Sequence, residues 1–187
     1  MENASSGNRY PALTKAGSAR LTLTGANTYS GNTAVVAGTL ALGASGSISN
    51  TPVIDIAAGA AFDVSAKGGF HVVSGQKVTG KGAVSGAVIF DGGATLGPGN
   101  SAGAMTFSND VSLSASATYA AEIDWNGAGT PVGGVYYPAA GTAYDQVVMS
   151  GGTFAIDPSA VLTVSLLQTY GALDQLAQLG QVVGHPL

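Results

Sequence analysis

The sequence predicts an all-β protein folded as a single-stranded parallel β-helix, a solenoid of stacked rungs. Three observations carry this. Short segments alternate apolar and polar residues, as in "VIDIAAGAAFDV" (53–64), "AVIFDGGATLG" (87–97) and "QVVMSGGTFAI" (146–156), the period-two pattern that turns one face of a strand inward. A glycine followed closely by Leu or Phe recurs (Gly38 to Leu40, Gly59 to Phe62, Gly93 to Leu96, Gly152 to Phe154), as in solenoids, where each repeat buries its apolar face only by stacking on the next. Helical periodicity is nearly absent before residue 170. An antiparallel sandwich would show two-residue hairpin signals such as Asn-Gly, and only Asn126-Gly127 reads as one. The expected rung is about 18 to 25 residues long.

Composition fits such a fold. Of 187 residues 29 are Gly, 45% are hydrophobic and only 9% charged, the reverse of what keeps a chain disordered. No run of 18 apolar residues suggests a transmembrane helix. Cysteine is absent, so a secreted form would draw stability from a long backbone ladder rather than from disulfides. All six basic residues precede residue 82. No basic patch interleaved with aromatics forms, which argues against nucleic acid as a partner.

The elements follow in order. Residues 1–12 form a polar leader, expected to be disordered or extraneous to the fold, without the apolar core of a signal peptide. The chain is therefore expected to be a piece of something longer. Residues 13–170 are the β-helix. In "LTLTGANTYSGNTAVVAGTLALG" (21–43), Leu21 and Leu23 begin a strand and "TGANTYSG" turns a corner. Gly25 and Gly31 are expected there for positive φ, and Asn27 for a local side-chain bond. Tyr29 either stacks over that corner or serves as a surface contact. Alternation assigns Val35, Leu40, Leu42, Ile54, Ile56, Phe62, Val64, Phe90, Leu96, Phe107, Leu113, Ile123, Phe154, Ile156, Leu162 and Val164 to the core. "DWNGAGTPVGGVYYPAAGTAYDQ" (124–146) reads as an excursion from the helix near 125–144, without strand pattern. Residues 171–187 read as a short helix or a last rung and tail.

"LTKAGSARLTLTGANTYSGNTAVVAGTLALG" (13–43) resembles the autotransporter-associated β-strand repeat at Thr24, Gly25, Asn27, Tyr29, Gly31, Thr33, Val35, Gly38, Thr39 and Leu40. Residues 78–123 and 143–166 are similar to further passenger segments. The resemblance implies the secreted passenger of a bacterial outer-membrane autotransporter, folded as a right-handed β-helix. It also implies a translocator barrel as partner in the full-length parent, and an extracellular or cell-surface location. The chain departs from the full pattern in lacking the strands of such a barrel.

Chemistry-bearing residues are sparse. His71 and His185 lie 114 positions apart. "GNSAG" (99–103) mimics a nucleophile elbow at Ser101, but Pro98 precedes it and a strand follows, where an elbow needs strand, turn, helix. Glu122 and Asp124 share a strand face about 7 Å apart, within the reach of a glycosidase pair, yet no accompanying cleft is readable. A polysaccharide-acting β-helix enzyme is the alternative reading. It would need an acid cluster with a basic residue, and no Lys or Arg follows position 81. An ice-binding solenoid is a further alternative, but the Thr22–Thr24 row does not repeat. No catalytic residue, metal or cofactor is assigned, and the expected role is a non-enzymatic passenger in adhesion or surface display. Its ligand would be a host-cell, matrix or glycan component, met at Trp125, Tyr136, Tyr137 and Tyr144, since exposed aromatics favour contact surfaces.

Overall fold

The computed structural model describes residues 11–123, 130–132, 135–137 and 144–166. The chain climbs in rungs of short strands separated by corners. The first rung holds β1 (Leu13–Lys15) and β2 (Arg20–Leu23), the second β3 (Thr33–Val35) and β4 (Thr39–Leu42). The third holds β5 (Val53–Ile56), β6 (Ala61–Asp63) and β7 (Phe70–Val72), the fourth β8 (Lys77–Gly80), β9 (Ala83–Ser85) and β10 (Val88–Phe90). The fifth holds β11 (Thr95–Pro98), β12 (Ala104–Phe107) and β13 (Val111–Leu113). The sixth starts with β14 (Thr118–Ile123), is interrupted by β15 (Thr130–Val132) and β16 (Val135–Tyr137), and resumes with β17 (Gln146–Met149) and β18 (Phe154–Ile156). β19 (Val161–Leu166) opens a seventh.

Stacking these rungs makes three sheets. The first face runs β1-β3-β5-β8-β11-β14-β19, the second β2-β4-β6-β9-β12-β17, the third β7-β10-β13-β18. Neighbours within each face pair in parallel, and among the described strands only β15 and β16 pair antiparallel. Leu13 lies beside Thr33, Val53 beside Lys77 and Lys77 beside Thr95, rung offsets of 20, 24 and 18 residues. This is the expected parallel β-helix, with rungs of the expected length.

The inward rows explain why small and large side chains alternate in the sequence. On the second face Leu21, Leu40, Phe62, Val84, Phe107 and Met149 stand in one row. In this row Val84 separates the rings of Phe62 and Phe107, each one strand spacing, about 4.8 Å, away. Phe62 instead meets Phe70 of the third face edge-on, with centroids 5.4 Å apart. The expected core residues Val35, Leu40, Leu42, Ile54, Ile56, Phe62, Val64, Phe90, Leu96, Phe107 and Leu113 are all buried.

Five expected core positions differ. Ile123 and Phe154 are only half-buried, and Ile156, Leu162 and Val164 are 55%, 65% and 52% exposed. Their register is the inward one: Ile156 lies beside Leu113, Leu162 beside Tyr119, Val164 beside Ala121. Phe154, Ile156, Leu162 and Val164 belong to β18 and β19, on which no described strand stacks, whereas Ile123 ends β14 where the excursion begins, beside Leu166. Alternation sets a side chain's direction, but burial in a solenoid also needs a rung on each side.

The corner of residues 24–32 holds one expectation and corrects another. Asn27 Nδ2 donates to Gly25 O at 2.9 Å, the local bond expected, and also to Ser47 O of the next rung at 3.0 Å. Gly25 and Gly31 are not left-handed; in this repeat the positive φ falls at Gly38, at +67°. Gly31 is instead buried, its N–H donating to Pro11 O and its carbonyl accepting from Thr51 Oγ1 at 2.7 Å. Tyr29 resolves as structural. It packs on the core, and its hydroxyl bonds Thr33 Oγ1 at 2.7 Å, which donates to the buried Thr51.

Candidate functional site

The 124–143 segment is inserted between β14 on the first face and β17 on the second. In earlier rungs this corner is short: Val36, Ala37 and left-handed Gly38 in rung two, and Lys81 and Gly82 in rung four. In rung six it carries an antiparallel pair, β15–β16, with Pro131 opposite Tyr136 and Thr130 opposite Tyr137. The absence of strand pattern expected here is therefore corrected. Gly133-Gly134, the pair between the two strands in sequence, is a recognised two-residue hairpin signal and could have revealed it.

The stem of this excursion is tied to the corner below. Ile123 and Tyr144 form an isolated antiparallel bridge. The buried Asp145 carboxylate accepts from Gly103 N–H at 3.0 Å through one oxygen and from Glu122 N–H at 2.9 Å through the other, while Asp145 N–H donates to Glu122 O. Glu122 Oε2 in turn accepts from Ser101 N–H at 3.0 Å. One aspartate thus closes both ends of the excursion and fastens them to the "PGNSAG" loop. Charge-assisted bonds of this kind satisfy amides that the corner removes from the ladder. No pattern in the sequence singled out Asp145, because its partners Glu122 and Gly103 lie 23 and 42 residues away.

The four aromatics do not converge in one described place. Tyr136 and Tyr137 are successive residues of β16. Tyr144 lies at the stem, half-buried beside Ile123, and not on the ribbon. Trp125 lies outside the described residues, as does Asp124, the expected partner of Glu122.

The carboxylates at this corner are engaged in holding backbone. Ser101 has φ of 76°, a strained position, yet His71 is on β7 of the third face, where its Nδ1 sits 2.9 Å from Asp91 Oδ1. Among the described residues no histidine pairs with Ser101. Asn100 Nδ2 donates to Asp55 Oδ1 at 3.0 Å. Among the described residues no group of three or more His, Asp or Glu is arranged to hold a metal ion, and no described helix is long and apolar enough to cross a membrane.

Two aspartates should titrate in opposite directions. Burial pushes Asp145 up, helped by the Glu122 charge and opposed by the two amides and by Lys81. Burial also acts upward on Asp63, but bonds from Ser65 Oγ and N–H and from Arg20, 2.8 Å away, outweigh it and lower its pKa. For Asp63 the folded value lies below the unfolded one, about 3.9, so its contribution to stability is present above that pH and is lost as pH falls through the folded value. For Asp145 the folded value is the higher one. Its contribution is present below about pH 3.9 and is lost as pH rises through the folded value. Carboxyl-carbon NMR should find the Asp145 midpoint above that of Asp63; the reverse order would refute the stem described here.

No curated protein and no solved structure matches the chain. A family model does match at the rungs nearest the N-terminus, over β1 to β4 and the Asn27–Tyr29 corner between them. That model is the passenger-associated-transport-repeat, which residues 13–42 match, consistent with the repeats of autotransporter passengers.

Proposed function

We propose that this chain is a segment of an autotransporter passenger, working as a non-enzymatic scaffold that projects from the bacterial surface for adhesion or display. The observation that carries the reading is the passenger-repeat match at one end of two unbroken parallel ladders, the first and second faces. A stack of this kind grows in length with each rung and keeps one cross-section, a form suited to holding a contact surface away from a membrane. In the full-length parent it would be joined to a translocator barrel and lie outside the cell. The parts proposed are the β-helix of residues 13–170 and the excursion near 125–144. That excursion is the one large insertion among the described rungs, and long insertions on a rigid scaffold are where binding residues concentrate.

The ligand would be a host-cell, matrix or glycan component, met weakly and repeatedly, since avidity multiplies modest affinities. Trp125→Ala combined with Tyr136→Ala should reduce cell or matrix binding by the parent protein about tenfold or more, as loss of hot-spot aromatics does, while circular dichroism stays unchanged. Unchanged binding removes the excursion as the contact site. Turnover of glycans or peptides by the purified chain, abolished by Glu122→Gln, would overturn the scaffold reading itself.

A further inference from the structure

The third face is broken between the second and third rungs. Ala26 and Ser47 form a parallel bridge there, but the next third-face strand, β7, ends its sheet and pairs only with β10. The cause lies in the corner before β7. It takes six residues, 64–69, where the rung above takes two, Gly86 and Ala87. The extra length forms a 3-10 turn at Ser65–Lys67, closed by left-handed Gly68. Side chains close the break on the inside. The buried Gln76 donates through Nε2 to Ile48 O and Thr51 O at 3.2 and 2.8 Å, and Lys67 Nζ donates to Ala44 O and Gly46 O at 3.1 and 2.7 Å.

On the outside the break leaves a cleft of about 320 Å³ lined by Ser47, Ser49, Lys67, Phe70, His71 and backbone of Gly46. Its chemistry is consistent throughout. Two hydroxyls, Ser47 and Ser49, stand 3.4 Å apart on one lip. Lys67 keeps one ammonium proton beyond the two given to carbonyls. His71 is held by Asp91 at 2.9 Å from Nδ1; with Nδ1–H donating to that carboxylate, Nε2 is left as an acceptor for a ligand hydroxyl. No acid lines the cleft, although the chain as a whole carries a net charge of −4. Phe70 is only 6% exposed, so the cleft offers an apolar side chain no seat.

We propose that this cleft binds one carboxylate-bearing sugar residue of an acidic glycan, with the carboxylate at Lys67 and ring hydroxyls at His71 Nε2, Ser47 and Ser49. The site goes beyond the excursion and lies on a different face, so either can fail without the other. A peptide added to the open edge of β7 is the competing occupant, disfavoured because the lining supplies charge and hydroxyls but no side-chain pocket.

The test is an NMR titration of the full 187-residue chain, labelled with 15N, with tetragalacturonate, and in parallel with maltotetraose as the uncharged counterpart. Saturable amide shifts at Ser47, Ser49, Gly69 and His71 are expected with the acidic oligosaccharide only, weakening as salt rises through the Debye regime. His71→Gln and Ser49→Ala should each weaken binding about tenfold. Both sites are exposed, so neither change should unfold the chain, whereas Lys67→Met would also cut the ties to Ala44 and Gly46. Absence of shifts at millimolar ligand, an equal response to maltotetraose, or unchanged affinity in both variants would each overturn the site. Shifts confined to 130–144 would do the same while leaving the excursion as the contact surface.

Discussion

Phe107→Ala should lower the free energy of unfolding by about 3–5 kcal/mol, measured by urea denaturation with matched slopes. The ring is fully buried, with Val84 beneath it and Met149 above it in the same inward row. Its rung is fixed on both sides by backbone ladder, so the cavity cannot close by sliding one strand toward the next. Leu40→Ala in that row, also fully buried, should cost about 2–5 kcal/mol. The contrast lies at the last described rung: Leu162, 65% exposed, should cost under about 1 kcal/mol when cut to Ala, as exposed sites do. Because solenoid stability sums over rungs and neighbour interfaces, a loss at Phe107 should be felt by both adjoining rungs. A Phe107→Ala effect no larger than that of Leu162→Ala would mean that the inward rows are wrongly drawn.

Those rows were legible before any coordinates. Period-two alternation, with Gly or Asn at the breaks, is local information, and it placed Val35, Leu40, Phe62, Phe90 and Phe107 correctly. Information that joins one rung to another was not legible. Lys15 stands in the inward row beside Val35, is 5% exposed and gives its ammonium protons to the carbonyls of Ala16, Gly17 and Ala37. Nothing within ten residues of it indicates that those three carbonyls turn toward one point. Thr33 and Thr51, polar and fully buried, are tolerated for the same kind of reason: each hydroxyl meets an oxygen on a different turn of the helix. The pairing of His71 with Asp91 and the role of Asp145 also depend on partners about one rung or more away. At the candidate site the position of the excursion was legible from its length and composition. Its ribbon was announced by Gly133-Gly134, but the stem that holds it was not.

Gly80→Ala should be the most damaging single methyl added to the described chain, because two independent costs meet there. Gly80 has φ of +109°, a backbone region that L residues occupy at about 1–3 kcal/mol. A Cβ at this position would also run into the carbonyl oxygen of Ile56, and would lie 2.8 Å from Asp55 Oδ1. The carbonyl cannot swing aside, since it accepts from both Lys81 N–H and Gly82 N–H. Nor can Gly80 retreat, since it exchanges backbone bonds with Gly99 in both directions, at 3.3 and 2.7 Å. Forcing the backbones apart adds about 1–3 kcal/mol, as other overpacking does, for a total of about 2–6 kcal/mol. Gly59 separates the two costs. It is left-handed at +77°, but a Cβ there meets nothing within 4 Å, so Gly59→Ala should carry the conformational cost alone, about 1–2 kcal/mol. The difference between the two variants measures how closely the first-face corners of successive rungs are stacked. Equal losses at Gly80 and Gly59 would show that the corner of rung four is looser than its hydrogen bonds require, and the fixed seat of the "PGNSAG" loop above it would go with it.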